Sequence, residues 1–402
     1  MLCDGVARQQ ESETLPLKAC VGRILTSSLT ATADLPATNN AAVDGYAVKA
    51  AFLEANPDFA FRVIGRAAAG HPFNETVGDG QAVRIFTGGV MPDGADVVAM
   101  HEFCQFDEQT STVTLTQKLK SGANNRPAGE NLQRGETIIA AGTRLGTADI
   151  GIAAAAGFAT LSVTRRLRVG LMSMGDEVVE TGHNLAPGHL HDSNRPMLTT
   201  MLEGDGHEVV DYGIVGDSRA ALTDAYSRAL ADCDAVLSSG GASDGDEDHT
   251  QSAMADNNVD PVFWRLAIKP GRPMSGGILR NGKGGKPVLC LPGNPVAAYV
   301  CFRLAAAPVL SHMIGATPRQ IMKLPVKSGF AHRKSAGRTE YLRVRIEDGE
   351  DGLPVMQLHG RKGAGVLSSL TGAHGLVEIP VDNEGVAVGD WLRFIPFRET
   401  GL

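Results

Sequence analysis

The 402-residue sequence contains few aromatic residues and no concentrated positive charge. Phe, Trp and Tyr together make up 5% of the chain, and its net charge is -8 at pH 7. It has neither a lysine-rich tract nor an alternation of aromatic and basic residues. Proteins that bind nucleic acid or anionic membranes over a broad surface need a basic patch. The composition therefore excludes these general binders, and an anionic ligand must be held by a local site.

The sequence also lacks paired cysteines. No C-x-x-C pair occurs, and no signal peptide precedes the scattered cysteines. This usage argues against structural zinc and is typical of a reducing compartment, so we expect a cytoplasmic protein. The six positions are Cys3, Cys20, Cys104, Cys233, Cys290 and Cys301.

Long uninterrupted hydrophobic runs are missing as well. The segment 150–156 is short, and the segment 296–310 contains Arg303 and Pro308, so we expect neither to span a bilayer. The chain has no convincing internal repeat and no low-complexity tail. With 43% hydrophobic and 20% charged residues, a chain of this length is expected to form two to four soluble globular domains.

The clearest pattern is an alternation of strands and helices between residues 168 and 315. It predicts a parallel sheet with helices on its faces. The order of Asn followed by Pro near residues 194 and 294 is typical of a cap at a helix start. The expected strands are 168–172, 208–214, 235–237, 263–268 and 287–291, and the expected helices are 194–202, 218–231 and 295–314.

Four polar clusters come directly after strands of this module. In open parallel sheets the carboxyl ends of the strands form the ligand-binding crevice, so the clusters should converge on one site. They are Met174-Gly175-Asp176-Glu177, Gly216-Asp217-Ser218, the loop from Ser238 to His249, and Pro292-Gly293-Asn294.

The loop that begins at Ser238 combines features for binding an anion and a metal. Small residues let backbone N–H groups approach a phosphate, and the Ser239 and Ser243 hydroxyls add donors. Asp246 and Asp248 beside an anion are explained by Mg²⁺ between carboxylate and phosphate. An acidic, glycine-rich surface turn explains this loop equally well when it is taken alone.

The segment Lys269-Pro270-Gly271-Arg272-Pro273 adds two cations, which the prolines pre-position to bind an oxyanion. Each of these elements also has a purely structural explanation. The two cations alone fit a solvated turn, Asp217 alone fits a helix cap, and Glu177 fits a helix N-terminus. The functional interpretation depends on their joint placement.

The flanking regions predict further domains around the α/β module. Short alternating runs rich in Val, Thr and Gly indicate a small inserted β domain, and the alanine-rich stretch 149–157 indicates a helix in an elongated domain. Alternation at 341–346 and 391–394 indicates a compact β barrel or sandwich. The expected boundaries are 1–43 and 134–166 for the elongated linker domain, 44–133 for the inserted β domain, 167–316 for the α/β domain and 317–402 for the barrel.

Six motifs in a fixed order resemble those of molybdopterin molybdenumtransferases, the MoeA-type enzymes related to the C-terminal domain of gephyrin. Each glycine motif is weak alone, but their order and spacing over nearly the whole chain make the resemblance specific. The motifs are Ala42-Val43-Asp44-Gly45-Tyr46-Ala47, Thr87 to Asp96, Gly175-Asp176-Glu177, Ser238 to Asp248, Lys269 to Pro273, and Leu291 to Pro295.

The resemblance implies a multidomain α/β plus β enzyme that is an elongated homodimer. In such a dimer the α/β crevice faces the inserted β domain of the partner subunit. The implied reaction takes adenylylated molybdopterin and molybdate, cleaves the phosphoanhydride in a Mg²⁺-dependent step, releases AMP and leaves molybdenum on the pterin dithiolene. Other proteins of molybdenum cofactor synthesis would be partners, and neither nucleic acid nor a membrane is expected.

The resemblance also implies roles for individual residues. Asp44 and Thr87 would complete the catalytic site across the dimer, although Asp44-Gly45 alone also fits a β-turn. The other expected residues are Glu177, Asp217, Asp246 and Asp248 for Mg²⁺ or the attacking water; Lys269 and Arg272 for molybdate or pyrophosphate; Ser239, Gly240, Gly241, Ser243, Pro292, Gly293 and Asn294 for the nucleotide or pterin phosphate; and Arg338 and Ser368 near the pterin.

Three positions depart from the family pattern. Met174 stands where threonine is usual, Asp244 where an apolar residue is common, and Asn131 where aspartate is common. They leave open an altered metal affinity or a paralogue with another role. The alternatives are a non-catalytic binding or scaffolding protein, which the intact acids disfavour, and a molybdopterin adenylyltransferase, which the extra β domains disfavour. The sequence does not distinguish molybdate from tungstate.

Overall fold

The chain folds around a central α/β domain that is flanked by β-rich regions. The computed structural model describes residues 3, 5–116, 118–241, 249–281, 284–318 and 320–397. The predicted site residues Ser243, Asp246 and Asp248, and the departure at Asp244, lie outside the described residues.

The central sheet places four parallel strands side by side, as the sequence predicts. In the part of the chain that the structure describes, its strands are β1 (Arg168–Met174), β2 (Glu208–Val215), β3 (Ala235–Ser239), β4 (Val259–Phe263), β5 (Ser275–Asn281) and β6 (Gly284–Leu291). Their order across the sheet is β2-β1-β3-β6-β5-β4. The central strands are nearly continuous apolar runs because both faces are covered. Leu171 and Leu237 pack into one core, and Met172 and Val236 pack into the other.

Helices cover the two faces of this sheet. The helix α1 (Asn194–Gly204) contributes to the core that contains Leu171, and α2 (Arg219–Asp232) contributes to the opposite core. The Ser218 side chain caps α2 by accepting a hydrogen bond from a first-turn N–H. The helix α3 (Thr250–Asp256) lies beside α2.

The predicted strand 263–268 is wrong. The strand β4 ends at Phe263, and both β4 and β5 are antiparallel to their neighbours. The β5–β6 hairpin occupies the free edge of β6, so the preceding chain can only add outside β5 or leave the sheet. The chain does both in turn. The strand β4 adds outside β5, and the chain then leaves the sheet, so that Ile268–Lys269 pairs with Thr339 and Glu340 of the C-terminal barrel.

The last helix of the central domain runs over Pro295–Cys301, widens into a π-helical turn at Phe302–Ala306 and continues over Ala307–Met313. Pro308 has no N–H to donate to the carbonyl four residues earlier, and the wider turn lies directly before it. By length and composition alone this helix could cross a membrane, whereas the sequence analysis expects it not to span one. More than half of its most apolar window is buried inside the protein, and Phe302 is fully buried, as in a core helix.

Strand pairing joins the two predicted pieces of the linker domain. Ser12–Pro16 pairs with Thr160–Thr164, and Leu29–Thr30 pairs with Thr137–Ile139. The helix Thr147–Ala155 shares a core with these strands. The exact domain boundaries stay predictions.

The two remaining regions are β structures. The β domain has the sheet order Val97–Met100, Gly45–Val48, Gln81–Ile85, Ala60–Ala67, Thr112–Leu115, Cys104–Asp107. The tail is a closed barrel, as predicted, with the order Thr339–Asp348, Pro354–Leu358, Leu324–Ser328, Trp391–Pro396, Gly375–Ile379, and the last strand pairs with the first. Shorter elements are the helix Ala50–Ala55 and the strand pairs Asn40–Ala41 with Asn125–Arg126, Val178–Val179 with Leu190–His191, and His332–Arg333 with Gly385–Val386.

Glycine is required at position 45, where the β domain presents Asp44. A Cβ on Gly45 would lie 1.8 Å from the Ala99 carbonyl oxygen on the neighbouring strand. We expect Gly45→Ala to lower the free energy of unfolding by about 2 kcal/mol or more, because the paired strands must separate. Urea unfolding followed by circular dichroism measures this change. Gly151→Ala is the control, since its Cβ meets open space in a helix, and it should stabilise by about 0.5–1 kcal/mol. Equal effects of the two substitutions would contradict the close packing.

Candidate active site

A cleft of about 950 Å³ opens at the carboxyl ends of β1, β3 and β6. Parallel sheets bind ligands at this edge. The structure brings together members of all four predicted polar clusters here, with one cation of the proline-flanked pair. The predicted site residues that line the cleft are Glu177, Asp217, Ser239, Gly240, Gly241, Arg272, Pro292, Gly293 and Asn294.

The end of β3 requires glycine. Gly240 and Gly241 have positive φ angles of 97° and 60°. A Cβ on Gly240 would lie 2.4 Å from the Met174 carbonyl oxygen. Gly293 lies opposite, with 3.7 Å between its Cβ position and the Gly240 Cα. The absence of side chains lets a phosphate approach the main chain.

The carboxylates of Glu177 and Asp217 line this cleft. Asp176 and Asp217 are held together by reciprocal hydrogen bonds: the Asp176 N–H donates to Asp217 Oδ2 at 3.2 Å, and the Asp217 N–H donates to Asp176 Oδ1 at 3.1 Å. Carboxylate oxygens are the ligands that Mg²⁺ prefers, so Glu177 and Asp217 fit the predicted ion. Among the described residues, three or more potential metal ligands do not cluster anywhere. The other two predicted ligands, Asp246 and Asp248, belong to the segment that is not described.

Asn194 and Ser239 form a buried pair at the cleft. Asn194 Nδ2 donates to Ser239 Oγ at 2.7 Å and to the Gly293 carbonyl oxygen at 2.6 Å. Both side chains are more than nine-tenths buried. The sequence pattern predicts only that Asn194 is a helix cap. In the structure Ser193 is the cap residue, and Asn194 lines the cleft. The polar run from Asp192 to Asn194 ahead of an apolar helix was the available signal.

A second cavity of about 340 Å³ lies beside the cleft, between the central domain and the barrel. We call it the cationic pocket. The two cavities share Arg272, Pro273, Pro292 and Asn294. Excess positive charge in a partly enclosed cavity favours an oxyanion. Among the residues that the structure describes, the lysines, arginines and acids that line it are Lys269, Arg272, Arg338, Arg343 and Lys362, with Glu340.

Glu340 fixes one cation of this pocket. Lys269 Nζ lies 2.9 Å from Glu340 Oε1, and His332 Nε2 makes a close polar contact of 3.2 Å with Oε2 that lacks hydrogen-bond alignment. Glu340 is 3% exposed. Burial opposes ionisation of Glu340, but Lys269 and His332 together hold its pKa below the ordinary value. The buried carboxylate therefore remains charged and restrains Lys269.

The barrel contributes a buried arginine that the sequence analysis missed. Arg338 lines the cationic pocket, whereas Ser368 is not among its described lining residues. The neighbouring Ser369 is buried, and its Oγ accepts a hydrogen bond from Arg343 Nε at 2.9 Å. Arg343 also donates to the Arg361 carbonyl oxygen at 3.0 Å, and burial lowers its pKa. The available signal was a basic residue within a predicted barrel strand.

Asp44 and Thr87 lie together on the β domain. The Thr87 N–H and Oγ1 both donate to Asp44 Oδ1 at 2.8 Å. These two bonds lower the pKa of Asp44, and the bond from the Thr87 backbone N–H has the larger effect. Arg84 lies beside this pair, with its guanidinium carbon 4.8 Å from the Tyr46 ring centre. Among the described residues of one chain, the lining of the cleft includes neither Asp44 nor Thr87.

The departures from the family pattern occupy different places. Met174 lines the cleft, and its carbonyl oxygen lies against Gly240. Asn131 lies instead in a small cavity of about 230 Å³, beside Arg126 and Gly88.

We expect Glu340→Gln to lower the free energy of unfolding by about 1–3 kcal/mol at pH 7, because Lys269 and His332 lose a buried charged partner. Since folding lowers the pKa of Glu340, its stabilisation is complete above the ordinary glutamate pKa of about 4.3 and is lost as the pH falls through the lower folded value. Urea titrations between pH 7 and pH 3 should show the difference from wild type narrowing below about pH 4.

The control for this prediction is Glu347→Gln on the same strand. Glu347 is exposed, so its substitution should change stability by no more than about 0.5 kcal/mol. A Glu340→Gln difference that stays constant down to pH 3 would contradict the charged, buried carboxylate.

Comparisons with known proteins indicate the same enzyme family along most of the chain. Three family models match it: the MoeA N-terminal region (domain I and II) at residues 2–157, a probable molybdopterin binding domain at 170–312, and the MoeA C-terminal region (domain IV) at 325–397. The chain is 32% identical to the molybdopterin molybdenumtransferase of Haemophilus influenzae, across 96% of this chain and 94% of that protein. It is 35% identical to the Nostoc sp. molybdopterin molybdenumtransferase, across 76% of this chain and 70% of that protein.

A solved structure supports the same assignment. The crystal structure of the molybdopterin biosynthesis moeA protein from Pyrococcus horikoshii OT3 superposes with a TM-score of 0.84 at 27% identity, covering 98% of this chain and 97% of that one. The chain therefore belongs to the MoeA family of molybdopterin molybdenumtransferases and is an enzyme of molybdenum cofactor biosynthesis.

Proposed function

We propose that the protein inserts molybdenum from molybdate into adenylylated molybdopterin, with Mg²⁺-dependent release of AMP. The observation that carries this proposal is the junction of two cavities with different chemistry. Glu177 and Asp217 line the cleft, cations line the neighbouring pocket, and Arg272 and Asn294 belong to both. A reaction between a nucleotide-bearing pterin and an oxyanion needs the two ligands side by side.

The cleft supplies groups suited to the adenylylated pterin. The main chain at Gly240, Gly241 and Gly293 would hold a phosphate. Glu177 and Asp217 would hold Mg²⁺ together with the predicted acids of the undescribed segment, and the bound ion would neutralise phosphate charge. One of these carboxylates would orient the water that attacks phosphorus.

The cationic pocket supplies groups suited to molybdate, a tetrahedral dianion. Lys269 is restrained by Glu340, and Arg343 is restrained by Ser369. Cations that are already positioned bind an oxyanion with little reorganisation. The barrel's contribution to this pocket supports insertion over adenylyl transfer, and the acids in the cleft support catalysis over scaffolding.

We further propose a cytoplasmic homodimer in which Asp44 and Thr87 of each subunit complete the cleft of the other. Their mutual hydrogen bonds hold an ionised carboxylate on a surface outside the cleft of their own chain, which supports a role in trans. All six cysteines are free thiols, which supports the proposed cytoplasmic location because the cytoplasm is reducing. Other proteins of cofactor synthesis would deliver the substrate and receive the product.

The direct test measures AMP release from adenylylated molybdopterin by the purified protein, with and without molybdate and Mg²⁺. The proposal predicts release that requires both, with formation of active molybdenum cofactor. Glu177→Gln and Asp217→Asn should each lower the rate by about 10²-fold or more, since each removes a charged oxygen ligand. Tight binding without release by the wild-type protein would instead favour the binding or scaffolding alternative.

A shared site predicts complementation between inactive variants. Asp44→Ala and Asp217→Ala are each expected to be inactive as homodimers. Subunits mixed after reversible dissociation, or made by co-expression, should recover about a quarter of wild-type AMP release, because half of the dimers then carry one intact site. Continued inactivity of verified mixed dimers would mean that each subunit needs its own Asp44 and its own Asp217, and would contradict the shared site.

A further inference from the structure

We propose that Asn194 is a specificity-determining residue whose side-chain oxygen accepts a hydrogen bond from an N–H group of the pterin ring. This inference rests on the function proposed above, and it names the part of the substrate that the cleft recognises at this point.

The contacts of Asn194 fix the orientation of its amide. The Gly293 carbonyl oxygen only accepts hydrogen bonds, so the atom 2.6 Å from it must be the Nδ2 of Asn194. The second Nδ2 proton goes to Ser239 Oγ. Both donors are therefore in use, and Oδ1 is the group left for a ligand.

This oxygen lacks a partner within the described residues. Asn194 Oδ1 is buried and makes no hydrogen bond, and Ser173 Oγ in the lining of the same cleft is in the same condition. An unsatisfied buried polar group costs about 1–3 kcal/mol. A donor on a bound ligand would remove this cost, whereas a phosphate oxygen, which only accepts, would be repelled.

The pterin ring fits this requirement. Asn194 lines the cleft together with Pro292, Gly293 and Pro295, and its Oδ1 is removed from water, so a donor to this oxygen must belong to a group that can itself be buried. The pterin edge with its amide and amine N–H groups meets this condition, and so does the amino group of adenine, whereas a charged phosphate does not. The match of residues 170–312, which include Asn194, to a probable molybdopterin binding domain favours the pterin.

The test compares the affinities of two ligands in the absence of molybdate: adenylylated molybdopterin, which carries the pterin, and AMP, which does not. We expect Asn194→Ala to weaken binding of adenylylated molybdopterin by about tenfold and to leave AMP binding unchanged. An equal loss for the two ligands would assign Asn194 to the nucleotide or to the fold. No loss for either ligand would also overturn the proposal.

Ser239→Ala is the matched variant. It keeps the Asn194 acceptor but removes one of the two groups that orient it, so it should weaken binding of adenylylated molybdopterin by a smaller factor, about two- to fivefold. It decides the question if Asn194→Ala does not fold, because unchanged affinity for adenylylated molybdopterin would then overturn the proposal.

This inference and the proposed function fail in different ways. If Asn194→Ala loses affinity for adenylylated molybdopterin but not for AMP, while the wild-type protein releases no AMP, only the proposed reaction is contradicted. Molybdate-dependent AMP release together with unchanged binding in Asn194→Ala would overturn only the role of Asn194.

Discussion

The ion pair between Lys269 and Glu340 is the contact on which the arrangement of the two cavities depends. It lies where the chain leaves the central sheet and pairs with the first strand of the closed barrel. A buried carboxylate must be paired, so this contact fixes Lys269 at the junction, where strand pairing and an apolar cluster of Val300 with Tyr341 and Leu376 also join the barrel to the central domain. Arg272 follows three residues later and lines both cavities.

The two cavities separate charges that would otherwise neutralise each other. Carboxylates and exposed main chain belong to the cleft, while lysine and arginine side chains belong mainly to the cationic pocket. A cation and a phosphate suit the first set of groups, and an oxyanion suits the second. The rigid ends of parallel strands hold the cleft, and the barrel completes the pocket. This explains why an α/β domain of this kind is combined with a further β domain.

Local patterns were enough to predict much of the fold. Apolar runs, helix caps and turn residues identified the four parallel strands and their helices, because these signals lie within each element. The strand 263–268 was misplaced because its fate is decided by competition with the β5–β6 hairpin for a sheet edge, which is a tertiary effect.

The same limit applies to the site. The glycines and acids that line the cleft belong to recognisable clusters at strand ends, so the sequence was enough to predict that they lie together. Asn194 was missed because its two partners are 45 and 99 residues away in the chain. Arg343 was missed because its burial beside Ser369 depends on closure of the barrel.

The central claim is that the oxyanion occupies the cationic pocket beside a cleft reserved for the pterin nucleotide. Anomalous diffraction at the molybdenum edge from crystals soaked in molybdate tests it most directly. The account predicts a molybdenum peak bounded by Lys269, Arg272 and Arg343 that disappears in Arg343→Ala. A peak confined to the acid-lined cleft near Glu177 and Asp217, or no peak at saturating molybdate, would contradict it.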